Sequence, residues 1–186
     1  MYERLDNVTL RDGERVEAGV VAGPDADWAS RIGPLLQHKG DPWNWQVAQL
    51  LERDLDIESY FYILHRDGNP FANIMTIETD GVGPFGHVWT EPADRKKGAS
   101  SSLMALQMDH FRSRGGRALF LGTGYDSVPY EMYERFGFHG IEPLSGFMDY
   151  YVESEPDFND AFFAPGPSVV EPLGWSHYPA CLLYTS

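Results

Sequence analysis

The stretch that most narrows the folds open to this chain runs from Phe85 to Leu121. It holds an apolar strand (Phe85 to Thr90), a basic loop containing one glycine (Arg95-Lys96-Lys97-Gly98-Ala99-Ser100), a helical pattern and a short, wholly apolar strand (Ala118 to Leu121). Within the helix, Leu103, Met104, Leu106, Met108 and Phe111 share one broad face, and such a face must be buried against a sheet or another helix. Arg112 to Arg114 occupy its last turn, where cations suit the dipole, and Gly115-Gly116 end it. A strand apolar on both faces needs cover on both, so Ala118 to Leu121 belongs in a sheet flanked by helices. With its two strands as parallel neighbours, the unit is a right-handed crossover.

The elements around this unit follow from periodicity and turn chemistry. Val16 to Ala22 forms a first strand after a polar start, and Gly23-Pro24-Asp25 stops it. Asp25 or Asp27 caps a helix carrying Trp28, Ile32, Leu35 and Leu36, shortened or kinked by Gly33-Pro34. A second helix starts at Asp41 or Asn44 and runs through Val47, Leu50 and Leu51. Ser59 to His65 and Phe71 to Thr79 pair as a hairpin around Asp67-Gly68-Asn69-Pro70, and Asp80 to Pro84 turns into the Phe85 strand. Ser127 to Phe136 is a short helix, followed by strands at Phe138 to Ile141 and Phe147 to Val152. The expected order is β-α-α-β-β-β-α-β-α-β-β, a mixed α/β sheet in one domain spanning residues 1–152.

Residues 153–180 change in composition and read as an exposed linker or the start of a second, truncated domain. Ser168-Val169-Val170 followed by Trp175 echoes Val20-Val21 followed by Trp28. Residues 181–186, Cys181-Leu182-Leu183-Tyr184-Thr185-Ser186, resemble the translation of a transposon adapter used in shotgun DNA sequencing. On that reading the natural chain is longer and carries no cysteine up to the break.

Charge removes whole classes of partner. A net charge of −14 argues against general binding to nucleic acid or anionic membranes, both of which need a basic face. No apolar run approaches the length of a membrane span, and the start lacks the parts of a secretory signal, so the default location is the cytoplasm. The single cysteine excludes a disulfide framework and a cysteine-based metal cluster.

Against this acidic background, Arg95, Lys96 and Lys97 form a local basic patch at a helix start. Unpaired amides and the positive end of the dipole make such a start suited to phosphate, Gly98 permits close backbone approach, and Ser100 to Ser102 add hydroxyls. Neither the nucleotide P-loop pattern nor the dinucleotide glycine pattern is present. Alone, R-x-x-G-x-S is a weak pattern that reads as a solvated helix start.

In context, the loop and the segment Tyr133-Glu134-Arg135-Phe136-Gly137-Phe138 resemble the GNAT superfamily of acetyl-coenzyme A-dependent N-acetyltransferases. Arg95 and Gly98 match the family's [QR]-x-x-G-x-[GA] loop, with Ser100 in place of glycine or alanine, Pro92 matches the proline of the V-x-P that often precedes it, and Tyr133, Gly137 and Phe138 match its L-Y-x-x-x-G-F segment, with Met132 in the leucine place. The resemblance implies acetyl-CoA as acetyl donor and no metal. It places the pantetheine arm along the strand through Val88, Trp89 and Thr90, and the pyrophosphate on Arg95, Lys96, Lys97, Gly98, Ala99, Ser100 and Ser101. It implies direct attack by a primary amine (a small molecule, a peptide N-terminus or a lysine), with Tyr133 as general acid. Glu78, His87, Glu91 and Asp126 are alternative general bases, and Asp126 also stands where relatives carry an asparagine that touches cofactor or substrate. Trp43, Trp45, Tyr60 and Tyr62 are aromatic surface near the acceptor region or simply core. A non-catalytic GNAT-like module binding acyl-CoA or a partner domain is the competing reading.

Overall fold

The computed structural model describes residues 1–167 and 169–185. Ser168, which opens the Val-Val echo, and Ser186, the last residue of the adapter-like hexamer, lie outside them. Eight strands form one sheet in the order β1-β2-β3-β4-β5-β6-β8-β7: β1 (Tyr2–Thr9), β2 (Arg15–Ala22), β3 (Glu58–Arg66), β4 (Asn69–Glu78), β5 (Val82–Thr90), β6 (Ala118–Gly122), β7 (His139–Gly140) and β8 (Phe147–Tyr151). The helices are α1 (Ala26–Leu36), α2 (Asp41–Glu52), α3 (Ala99–Ser113), α4 (Val128–Arg135), α5 (Glu155–Phe162) and α6 (Tyr178–Thr185). All neighbouring strands are antiparallel except β5 and β6, the parallel pair joined by α3. This is the mixed α/β sheet that the Phe85 to Leu121 unit requires.

Two apolar layers cover the sheet. Ile32, Leu36, Val47, Leu50 and Leu51 of α1 and α2 pack on Val21, Phe61, Ile63, Met75 and Ile77. Leu103, Met104, Met108 and Phe111 of α3 pack on Val20, Tyr62, Leu64, Ile74 and Phe85 of the opposite face, joined by Tyr133 and Phe138. Alternate residues of β4 therefore serve opposite layers, as the two-residue period of a strand dictates.

Several expectations are corrected. The polar start holds a strand, β1, on the sheet edge against β2. A register shift between Arg4 and Asp6 interrupts its alternation, so the inward residues Leu5 and Val8 carry no period-two signal. The turn after β4 closes in two residues, Asp80 and Gly81, both at positive φ (52° and 72°), with Thr79 and Val82 exchanging both backbone hydrogen bonds. That is the hairpin geometry whose twist matches the strands. Val82–Pro84, expected as turn, are consequently strand, and they are the residues that pair with β6. Residues 155–162, read as linker, form α5, and its Phe158 is buried against Val82 and Ala118. Further on, Thr79 Oγ1 donates to the Ser176 carbonyl at 2.9 Å, holding the tail against the sheet. Among the described residues no helix is long and apolar enough to cross a membrane.

Candidate active site

The site originates in an incomplete pairing. β5 and β6 are matched only at Val82 with Ala118, Gly83 with Leu119 and Pro84 with Phe120, after which they diverge. On its other side β5 stays attached to β4, where Met75 faces Gly86 but Asn73 faces Trp89. One extra residue is thus inserted into β5, a bulge, and His87 in it takes φ 49°. Without the bulge, strict alternation would turn His87 away from Gly86. With it, both Gly86 and His87 face one cavity, while Val88 packs with the α3 layer and Trp89 with the α1/α2 layer. Asn73 Nδ2 donates to the His87 carbonyl at 3.0 Å and pins the bulge.

The cavity, of about 510 Å³, lies between the diverging strands on the α1/α2 side. Met75 and Ile77 form its floor, Phe120, Leu121, Gly122 and Phe147 its far wall, and Trp43, Gln46 and Lys39 its helical wall. Tyr178 from the tail closes one side and accepts a hydrogen bond from Gln46 Nε2 at 2.9 Å. Gly86 fronts open space: a Cβ there would meet nothing within 4 Å.

His87 is the titratable strand residue aimed into this space. Its ring lies edge-on to Trp43 at 5.6 Å, and Nδ1 is buried with no partner among the described residues. Burial, helped by nearby Lys39 and His38, pushes its pKa down to about 4, so the imidazole is neutral at pH 7 with a lone pair available. Lys39 is half-buried and makes no ion pair among the described residues; its ammonium sits 6.0 Å from the Trp89 ring centre, and burial lowers its pKa. His38 stacks on Trp89 at 3.5 Å, with Arg95 Cζ 4.5 Å from the same ring centre. No aspartate or glutamate among the described residues lines the cavity.

At the end of β5 the chain enters the basic loop. Gly98 caps α3 with φ 87°, and among the described residues no side chain caps the helix. The first amides of this 15-residue helix therefore remain available to an anion. Thr90 Oγ1 and Ser100 Oγ, 3.0 Å apart, tie the strand end to the helix start. Ala99 is buried, whereas Lys96 and Ser101 are exposed. The Lys97 ammonium is engaged within the loop, 3.1 Å from both Asp94 and Asp12, and Arg66 clamps Asp94 and Glu14 with paired hydrogen bonds. Arg95 Nε donates to the Thr90 carbonyl at 3.1 Å. The loop is held in shape by its own charges, with Lys96 exposed beside the start of α3.

The other candidates separate. Tyr133, on α4, is buried with its ring edge-on to Phe85 at 5.4 Å, and burial pushes its pKa up to about 12. Glu78 is fully buried on the face opposite Met75 and Ile77, bound to Thr76 Oγ1 and Arg114, and does not reach the cavity. Glu91 follows β5, its amide donating to the Phe71 carbonyl, and Asp126 is exposed in the turn before α4 at φ 55°; neither lines the cavity. Tyr62 is buried beneath α3 with its hydroxyl 3.0 Å from His110 Nδ1, and Tyr60 lies against Arg114. Of the four aromatic residues considered, Trp43 lines the cavity, while Trp45 stacks on Trp175 at 5.9 Å. Lys39, Gln46 and Tyr178 escape sequence reasoning because turn, helix and tail converge only in three dimensions.

Known structures share this fold. The GNAT domain of the S. lividans protein PAT superposes with a TM-score of 0.58 at 14% identity, covering 79% of this chain and 96% of its own. The chain has the GNAT fold. An aminoglycoside 6'-N-acetyltransferase solved with coenzyme A shares it at a TM-score of 0.52 and 17% identity, over 74% of this chain and 99% of that one. In sequence, an uncharacterised N-acetyltransferase of Methanocaldococcus jannaschii is 25% identical over 120 residues, 60% of this chain. The chain's match spans about half (52%) of that relative's length. No protein-family model matches the chain.

Proposed function

We propose that this protein is an N-acetyltransferase that moves an acetyl group from acetyl-CoA to a primary amine. The observation carrying this reading is the gap between β5 and β6, with the uncapped start of α3 at one end, Tyr133 against Phe85 on one face of the sheet and His87 on the other. The residues suit the donor: Gly98 in the left-handed region, the first-turn amides of α3, and strand backbone from Gly86 to Trp89 that β6 does not pair. The solved relative holding coenzyme A on the same fold is consistent with it.

Acetyl-CoA supplies an activated thioester carbonyl. His87, neutral at pH 7, takes the amine proton directly or through water as the C–N bond forms and the C–S bond breaks. Tyr133 returns a proton to the departing thiolate, and burial keeps its phenol protonated throughout the physiological range. No covalent enzyme intermediate is required, because the two reactants are held together in one cavity.

Calorimetry with acetyl-CoA and a thiol-release assay over an amine panel test the proposal. Tyr133→Phe should lower kcat by about 100-fold or more at pH 7 while leaving coenzyme A affinity intact. An unchanged rate removes the tyrosine from the mechanism, binding without turnover favours the non-catalytic module, and no binding at all removes the transferase reading.

A further inference from the structure

The acceptor is the undetermined half of this reaction, and the inference that follows rests on the transferase reading. Of 28 acidic residues in a chain of net charge −14, none among the described residues lines the cavity. A polycationic acceptor would find no carboxylate to receive it. The only formally charged side chain in the lining is Lys39, which is half-buried and unpaired among the described residues. Moving an ammonium out of water costs free energy unless an anion compensates. The remaining surface is largely hydrocarbon and aromatic, from Met75, Ile77, Trp43, Phe120 and Phe147.

We propose that the acceptor is an amino-acid-like amine with an apolar side chain and a free carboxylate, the carboxylate seated on Lys39 and the side chain on the apolar walls. A single ammonium matches a single negative charge, whereas a phosphate dianion would call for further cations or a guanidinium fork. Because Lys39 and His87 line the same cavity, a carboxylate held at Lys39 brings an adjacent amine to the base. The same anion offsets the Lys39 charge that disfavours a proton on His87. Lys39 is thus a specificity-determining residue, and seating the acceptor makes the base stronger.

The experiment compares L-phenylalanine and L-methionine with their amides, alongside spermidine, by thiol release at fixed acetyl-CoA. The free acids should exceed their amides in kcat/KM by tenfold or more, and spermidine should be poor. Lys39→Met should bring the acid-to-amide ratio down toward one, mainly by raising KM for the acids, while Lys39→Arg keeps the preference. Amides equal to acids, a preference for spermidine, or an unaltered ratio in Lys39→Met overturns the proposal while leaving the transferase reading standing. If no amine is acetylated, that reading falls, and calorimetry with N-acetyl-L-phenylalanine and its amide in the presence of coenzyme A decides on the carboxylate site. Stronger binding of the acid that Lys39→Gln abolishes upholds the site, and equal binding overturns it.

Discussion

Gly98 is required by backbone conformation more than by packing. Its φ of 87° lies where side chains are strained, yet a Cβ there would meet only the Arg11 side chain at ordinary contact distances of 3.4 to 3.7 Å. Gly98→Val should therefore fold with a modest loss, about 1–3 kcal/mol, lowering Tm by several degrees. Coenzyme A affinity should fall as well, with Kd raised about tenfold or more as backbone approach is blocked, a loss of roughly 1.4 kcal/mol; calorimetry on the folded variant reads it. Gly98 and Tyr133 stand out in the sequence as candidates because each sits in a short local pattern. His87 stands out in the sequence only as one of four candidate bases. What turns it into the cavity is the bulge, and nothing in Phe85 to Thr90 signals an inserted residue, since the register of a strand is fixed by its partner.

At the scale of elements, β4 and the end of α3 are joined by Glu78 and Arg114. Glu78 is fully buried, and the guanidinium also lies 3.8 Å from the Tyr60 ring centre. Removing one charge of such a pair strands the other: Glu78→Ala should cost roughly 3 kcal/mol or more, a fall in Tm of about 6–12 °C for a chain of this size. Glu78→Leu combined with Arg114→Met should recover much of that loss, and a double-mutant cycle by thermal unfolding measures the coupling. Most strands and helices could be read from periodicity, because β3, β4 and the helices bury whole faces. The edge strand β1 could not, since its shift near Leu5 erases the alternation, and α5 was obscured by acidic residues around its one buried phenylalanine. Cavity walls drawn from a turn, a helix and a distant tail leave no local trace.

For the whole molecule, the buried histidine couples function to acid stability. His87 has an ordinary pKa near 6.5 and one of about 4 in the fold, so folding favours its neutral form. Its contribution is fully present above pH 6.5 and is lost as pH falls toward 4, on the order of 3 kcal/mol in all. His87→Asn, which tolerates positive φ, should lose less Tm between pH 7 and pH 5 than the unaltered protein, as scanning calorimetry can establish. His65 and His110, both also lowered by burial, remain in both proteins and cancel in the comparison. Finally, the divergence of β5 from β6 has a mechanical meaning. It leaves two strand edges facing each other inside the molecule, where helices and tail shield them from the edge-to-edge association that open sheets invite. Any extended ligand that bonds to those edges becomes, in effect, a transient ninth strand. Beyond the Val82–Pro84 pairing that already joins β5 to β6, such a ligand would extend the contact between the two strands for as long as it stays bound.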